Sequence, residues 1–410
     1  MANDINNIKD NGALIAKLAG GYISDHCQFI KSIDKADASD FEGKNGYSAG
    51  QTINVSIPAR FTMGSGAAIT AEDIEEGSVA LTVNNQNHVA FEVTSAEIAT
   101  EFALKSWAER VLKPAMITLS NGIEAAALEQ ASDATANAVG TAGSSVFDTD
   151  LILSAGEKLD ISGCADYDNR FVLLNPAASR SAVNARKGLF QSSEDIAKQY
   201  RSGAMGMADG FTFLRNNLLP THTNGNDDVF EVRTTVSTEG QATLVVEGLT
   251  TTTGTVKKGT VFTIATVYAV HPVTKATLSH LQQFVVTADA TADGSGYATL
   301  SIDKPFYSSA SGALQNISAF PADGDAITIV GSANGVYAQN LAYHKSAFRF
   351  CSVPLVKPQG VDLVGQETVD GITVRIVRDY DVTNDKLIMR ADVLWGMANV
   401  RPEWASRLYS

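Results

Sequence analysis

The chain has 410 residues, 44% of them hydrophobic and 19% charged, with a formal net charge of -14. That length and balance exclude a disordered or fibrous chain and predict two or three domains with real cores. The acidity argues against a general nucleic-acid binder, whose affinity rests on cationic contacts to phosphate. Residues 1–42 read as an N-terminal arm of short helical turns. Ile8, Ile15 and Leu18 share a face, and Gly12, Gly20 and Gly21 are expected to break it. Residues 43–90 read as an extended hairpin loop. Ile53, Val55 and Ile57 alternate with Thr52, Asn54 and Ser56, and Val79, Leu81 and Val83 mark a second alternating strand. Between them lie a Gly-Ser-Gly turn (Gly64 to Gly66) and the acidic stretch Glu72 to Glu76. Such a hairpin either projects from the body or packs at home, and the pattern fits both.

The strongest helix signal falls in residues 91–137. Thr94 and Glu97 make a capping box, and Leu104, Trp107, Ala108 and Val111 then recur at helical spacing, with Glu101 able to pair with Lys105. Pro114 is expected to kink or end this helix, and the Ala-rich run Ala115 to Ala131 to continue it as a bent extension, giving one long spine helix. Residues 138–221 alternate helix and strand. Asp148 to Lys158 reads as a helix and Arg170 to Leu174 as a buried strand. Asn175 then caps a helix that Pro176 opens, and Ser193 to Arg201 is a further short helix. Residues 222–332 are rich in threonine and carry strands at Gln241 to Glu247, Val261 to Val270, Gln283 to Thr287 and Ala298 to Ile302. Their spacing predicts an inserted all-β module, a small barrel or sandwich. Mixed character returns over 333–367, where Leu341 to Phe350 reads as a helix-to-strand segment. Residues 368–410 close the chain with two long strands, Thr368 to Tyr380 and Lys386 to Trp395, joined by the turn Thr383-Asn384-Asp385, and a tail.

Chemistry is sparse. Cys27, Cys164 and Cys351 are odd in number and far apart, so no disulfide framework is expected and a reducing compartment fits. The six histidines (His26, His88, His222, His271, His280, His344) form no zinc pattern, and no phosphate loop or nucleophile elbow occurs. Asp166-Tyr167-Asp168 reads as a solvated turn rather than a cation loop. The apolar stretch Gly12 to Ile23 holds Lys17 and follows Asp4 and Asp10, so neither a secretory signal nor a membrane span is expected. No catalytic, cofactor or metal site is expected, and the chain reads as a non-enzyme. A β-rich adhesin-type binding protein and a cytosolic enzyme without a visible site are the other classes considered.

The element order, together with three short motifs, resembles a known family. The motifs are Leu394-Trp395-Gly396 with Asn399 and Arg401-Pro402-Glu403; Phe213-Leu214-Arg215 with Leu219-Pro220 where the insert begins; and Lys257-Lys258-Gly259 within it. The chain resembles the major capsid proteins of tailed bacteriophages with the Hong Kong 97-like fold. It is most like coat proteins of short-tailed Salmonella-type phages, which carry an inserted β-barrel domain. The spacing at the end is about one residue shorter than in those relatives. The long charged loop that in relatives reaches a neighbouring capsomer is here a short turn, Ser237 to Thr243, so that contact is not carried over.

The resemblance implies an α+β fold with an N-terminal arm, an extended hairpin, a peripheral domain holding the spine helix, and an axial α/β domain interrupted by the β insert. It implies a structural protein of the virion, assembled in the host bacterial cytoplasm. Such a protein forms pentamers and hexamers of an icosahedral shell, first as a procapsid with scaffolding protein, then matured by conformational change. It further implies a portal protein and packaged double-stranded DNA as partners, with no membrane. Within that frame the candidate intersubunit contacts are Arg60 and Phe61 near the hairpin tip, Glu72, Glu75 and Glu76 as their acidic counterparts, and Arg401 and Glu403 around Pro402. Each has an ordinary alternative, a solvated surface charge or a local turn.

Overall fold

A computed structural model describes residues 12–35, 52–58, 61, 77–94, 108–144, 147–164, 166–185, 206–227 and 229–409. The arm forms helix α1 (Gly12–His26), the short helix α2 (Gln28–Ser32) and strand β1 (Asp34–Lys35). Contrary to expectation, the glycines do not break α1. A side chain on Gly12 or Gly20 would run into the chain near Val364 or Val369, so both residues let the helix lie close on a strand. Ile15, Ala16, Ala19 and Ile23 are the buried face, while Leu18 is exposed. The packing gained there outweighs the weak helix propensity of glycine, roughly 1 kcal/mol per residue.

Strands β2 (Thr52–Ile57) and β3 (Gly77–Thr82) pair as the hairpin, and β4 (Asn85–Thr94) follows. Thr94 thus ends a strand, and Glu97, Glu101, Leu104, Lys105 and Trp107 lie outside the described residues. A π-helical turn, Ala108–Leu112, leads into helix α3 (Lys113–Ala134). Pro114 therefore neither ends nor starts the helical stretch. It occupies the first turn of the α-helical part, where its missing N–H is not needed, and the wider turn before it absorbs the ring.

Next come β5 (Ala138–Gly140), α4 (Thr149–Ile161), β6 (Arg170–Leu174) and α5 (Pro176–Ala185). Asp148 caps α4 by accepting from the Leu151 N–H at 3.0 Å, and Asn175 caps α5 by accepting from the Ala178 N–H at 2.7 Å. The stretch Ser193 to Arg201 lies outside the described residues. Strands β7 (Met207–Ala208), β8 (Phe211–Arg215) and β9 (Thr221–Thr223) lead into β10 (Val229–Val232), β11 (Gln241–Glu247), β12 (Thr255–Val256), β13 (Val261–Val270) and β14 (Thr277–Val285). Strands β15 (Ala290–Thr291), β16 (Ala298–Phe306), β17 (Ala326–Ile329), β18 (Val336–Ala338), β19 (Asn340–His344) and β20 (Phe348–Val353) follow. The segment Leu341 to Phe350 is thus two strands around the single 3-10 turn Lys345–Ala347, not a helix followed by a strand.

The chain closes with β21 (Leu363–Val369), β22 (Ile372–Asp381), β23 (Lys386–Asn399) and β24 (Ala405–Tyr409). The expected single strand Thr368 to Tyr380 is in fact two. Asp370 and Gly371 both take positive φ, 49° and 74°, and reverse the chain between β21 and β22.

These elements gather into two compact units. One holds Met1–Val55, Ser78–Ala127 and Phe348–Val400; the other holds Ser56–Gly77, Leu128–Ala347 and Arg401–Ser410. The first is built on a sheet of order β1-β20-β23-β22-β21, with β4 on the far edge of β23, and α1 lies on β21 and β22. The second holds a mixed sheet of order β5-β24-β19-β6-β8-β7, whose core of Phe147, Ile152, Leu159, Val172, Leu174 and Phe211 is covered by α4 and α5.

Within the second unit, β9 and β18 pair antiparallel, so the chain leaves and re-enters the mixed sheet side by side. Between them a six-stranded sheet runs β14-β13-β17-β10-β11-β16. Its two ends meet: Val286 bridges Ile302, and the Thr287 N–H donates to the Ser301 carbonyl at 2.9 Å. Inside, Phe262 stacks on Phe284 with centroids 5.8 Å apart, and Phe306 meets Phe284 edge-on at 5.2 Å. The insert is a closed barrel around its own core.

Asp303 sits on the barrel seam, where its Oδ1 accepts from the Val285 N–H at 2.9 Å while Oδ2 has no hydrogen-bond partner. Burial pushes this carboxyl above the ordinary carboxylate range despite Lys304 nearby. The neutral form is therefore favoured in the fold, and its stabilisation fades as pH rises through the folded value. Asp303→Asn keeps the Val285 bond without a charge to bury. Its melting temperature is expected to match wild type near pH 4 and to exceed it at pH 7. Asp303→Ala is expected to lose about 1–3 kcal/mol at either pH.

Candidate assembly elements

Strand β23 carries the first motif, and its alternation gives each residue a task. Leu394 faces the hairpin root, joining a cluster of Leu81, Val83, Cys351, Val353 and Ala398, with Ile53, Val55 and Val79 packed on it. Trp395 turns to the other face, stacks on Phe350 at 5.7 Å and donates from Nε1 to Asn87 Oδ1 at 2.7 Å. Gly396 returns to the hairpin side, where a Cβ would run into the Thr82 carbonyl oxygen. The motif Leu394-Trp395-Gly396 is thus a seat for the hairpin root. Thr52 and Thr82, with hydroxyls 2.8 Å apart, tie the two hairpin strands together at that root.

The arm is held to α3 by a buried polar clasp. Both Glu124 carboxylate oxygens accept backbone N–H groups at the start of α2, from Phe29 at 2.6 Å and Ile30 at 3.3 Å. Glu124 is fully buried and replaces the side-chain cap that Cys27 does not supply. Ser120 donates to the Ile23 carbonyl at 3.2 Å and lies 3.2 Å from Cys27 Sγ. Burial first, and then the nearby Glu124 charge, push the Cys27 thiol up to about 12, so it stays protonated and unreactive. Sequence periodicity does not single out Glu124; a Glu in an Ala-rich helix reads as a surface residue. Glu124→Ala would leave buried donors unmet and is expected to cost about 2–3 kcal/mol in urea denaturation, with Glu124→Gln costing less.

The second motif lies in β8, which runs parallel to β6 with Phe213 opposite Val172. Arg401, Pro402 and Glu403 shape the entrance to β24. Pro402–Trp404 is a 3-10 turn, and the Arg401 guanidinium lies 4.1 Å from the Trp404 ring centroid. Trp404 donates from Nε1 to the Ser162 carbonyl at 3.2 Å and meets His344 edge to face. Asn137 donates to the carbonyls of Glu403 and Ala405. Arg401 and Glu403 therefore belong to a local turn anchored by Trp404, a residue that the sequence reading passed over. The third motif marks the insert's stalk. Lys257 pairs with Asp289 at 3.1 Å, Lys258 pairs with Asp133 at 2.8 Å, and Gly259 takes φ +87°.

Of the hairpin candidates, Phe61 is exposed, and Arg60, Glu72, Glu75 and Glu76 lie outside the described residues. All three cysteines are buried and none forms a disulfide. Asp166 accepts from the Asp168 N–H and from Asn169 at 3.0 and 2.9 Å, which makes it a turn-former. Among the described residues no group of acidic, His or Cys side chains could hold a metal ion, and no helix is long and apolar enough to cross a membrane. Of the expected turn Ser237 to Thr243, only the part up to Gly240 is a turn, with the Ser308 N–H donating to Glu239 at 2.9 Å; Gln241 to Thr243 already belong to β11.

The family described as P22 coat protein, gene protein 5, matches over residues 22–407. The chain belongs to the P22 coat protein family. Family membership makes the chain a structural phage coat protein rather than an enzyme, and its helices and sheets give it an α+β fold. It is 23% identical over 255 residues to a major capsid protein of Acyrthosiphon pisum secondary endosymbiont phage 1, a match spanning 58% of this chain and 60% of that relative's length. Among solved structures it is similar to a chain of Mycobacterium phage Che8, with TM-score 0.46 and 13% identity over 92% of this chain and 88% of that one. It is also similar to the CUS-3 coat protein I-domain, at 24% identity and TM-score 0.19 over 25% of this chain and 94% of that one.

Proposed function

We propose that this coat protein is the shell-forming subunit of a phage head. It assembles with itself into pentamers and hexamers of an icosahedral capsid around double-stranded DNA. Assembly proceeds in the host cytoplasm as a procapsid with scaffolding protein and a portal, followed by conformational maturation. The observation that carries this reading is the family match across residues 22–407. The seated hairpin root supports it, since a firmly anchored two-stranded ribbon suits contact with a neighbouring subunit.

On this reading Arg60 and Phe61 engage a neighbour whose Glu72, Glu75 and Glu76 supply the opposite charge. Arg401 and Glu403 serve assembly through the turn they form. Packaged DNA meets little attraction from a chain of charge -14, and any positive footprint comes from Lys105, Arg110 and Lys113 or from the arm; Arg110 and Lys113 are exposed, and Lys105 lies outside the described residues. Binding to DNA is then weak and lost in moderate salt.

The test is co-expression with a scaffolding protein, followed by negative-stain microscopy and sedimentation. Wild type is expected to give closed shells or capsomers, and a single 43.3 kDa species at every concentration would overturn the reading. A variant lacking Arg60 to Ala71 is expected to keep the wild-type circular dichroism and melt but to fail to close shells. Normal shells from that variant would remove the hairpin from the contact.

A further inference from the structure

The stalk of the β insert concentrates charge in a way that no assembly argument uses. Arg407 of β24 is 1% exposed, and its Nη1 donates to the Gly259 carbonyl at 2.7 Å and to Gln339 Oε1 at 3.2 Å. Its Nε and Nη2 have no hydrogen-bond partner. Beside it stands His222 of β9, mostly buried, with Nε2 3.3 Å from Thr260 Oγ1. A Cβ on Gly259 would sit 2.8 Å from Asp133 Oδ1 and 3.2 Å from His222 Nδ1, so the last turn of α3, the stalk strand and the barrel meet at this one glycine.

Insert and mixed sheet are joined here by two further devices. Gln283 and Ala138 exchange hydrogen bonds at 2.9 and 3.0 Å. Val261 and Val285 of the barrel pack with Ala136, Ala138 and Tyr409 in one apolar cluster.

We propose that this stalk is an acid-sensitive latch, in which a proton on His222 sets a second cation beside the buried Arg407 and loosens the insert from β24. The groups facing His222 come from every element around it. Arg407 of β24 opposes protonation. Asp133 of α3 and Asp289 before β15 favour it, but Asp133 is bound by Lys258, and Asp289 by Lys257 and the Lys258 N–H. Asn224, Thr260 and Gln339 are neutral. Burial first, then Arg407, hold the imidazole down to about 4.

The sign follows from linkage. With the insert docked, His222 stays neutral to about pH 4, whereas a freed imidazole takes its proton near its ordinary 6.5. Docking is at full strength above pH 6.5 and weakens steadily between 6.5 and 4. Below that window both states are protonated and nothing further is lost.

The test is hydrogen exchange by mass spectrometry on the full chain at several pH values, comparing wild type with His222→Gln at each pH so that intrinsic exchange rates cancel. The reporter is the peptide carrying the Ala138 amide, which donates to Gln283 only when the insert is docked. Wild type is expected to lose protection on the order of tenfold relative to His222→Gln between pH 7 and pH 5. Equal loss in both, or loss in neither, would overturn the latch. Should His222→Gln be unprotected already at pH 7, the wild-type imidazole titration decides. A midpoint well below 6.5 supports the proposal, and one at or above 6.5 overturns it.

Discussion

Strand β23 has both edges and both faces occupied, and the first unit depends on that confinement. One edge pairs with β4 over ten residues; the other pairs with β22 and then, past Asp392, with β20. From Ala391 to Ala398 every residue is buried. A strand so enclosed must be apolar on both faces, and any polar group in it must be matched. Asp392, fully buried, is met by Arg375 at 2.8 Å and by Arg390 at 2.6 Å. Losing both partners would strand the Asp392 charge in the interior, which is far more damaging than the pairing is stabilising. The Trp395 indole is matched by Asn87 in the same way. Register is therefore set by chemistry as well as by pattern, because a one-residue slip would turn Asp392 and Trp395 to the wrong sides.

The barrel solves a different problem. An inserted sheet brings free edges, and free edges recruit unwanted strands. Here the seam between β14 and β16 closes the sheet, helped by the Asp303 side chain bonding across it. Closure lets the insert fold around its own core, yet the stalk does not leave it tethered by two strands alone. The apolar cluster at Tyr409 and the Gln283–Ala138 exchange lock it to β5 and β24. Both β19 and β24 follow the insert in sequence, so the mixed sheet takes strands from either side of it.

Local signals carried much of this fold. Asn175-Pro176 and Asp148 announced helix starts because capping uses the chemistry of adjacent residues, and alternation announced β2 and β3 because one face of each is half-buried. What escaped was set by distant partners. Gly12 and Gly20 look like helix breakers until Val364 and Val369 lie against them, and Glu124 looks like a surface charge until α2 needs a cap. The Asp370-Gly371 turn was legible in principle, since both residues tolerate positive φ, but the apolar run around it masked the break. Trp404 was passed over for a similar reason: a single aromatic beside Arg-Pro-Glu has no period, and its role depends on Ser162 and His344 arriving from elsewhere. The capsid likeness rested on element order and three short motifs, and in the one on β23 the residues that fit the strand into its enclosure are also the ones a short motif can record.

The hairpin joins these local constraints to the proposed shell. A two-stranded ribbon is marginal in water by itself. Here its inward residues Ile53, Val55, Val79 and Leu81 are seated on the β23 cluster, which fixes register and direction at the root. Thr52, Asn54 and Ser56 face outward, and neither ribbon edge pairs with a third strand among the described residues. The root of the ribbon is thus fixed in register, and the ribbon's edges carry backbone groups suited to pairing with a further strand. A contact of that kind needs only modest strength, because a closed shell repeats it around every capsomer and repetition supplies the permanence. Modest strength is also what allows a misplaced subunit to leave before closure. On the proposed reading, firm seating at Gly396 and weak pairing with a neighbour are two halves of one requirement: the direction of the contact must be certain, and its individual strength must not be.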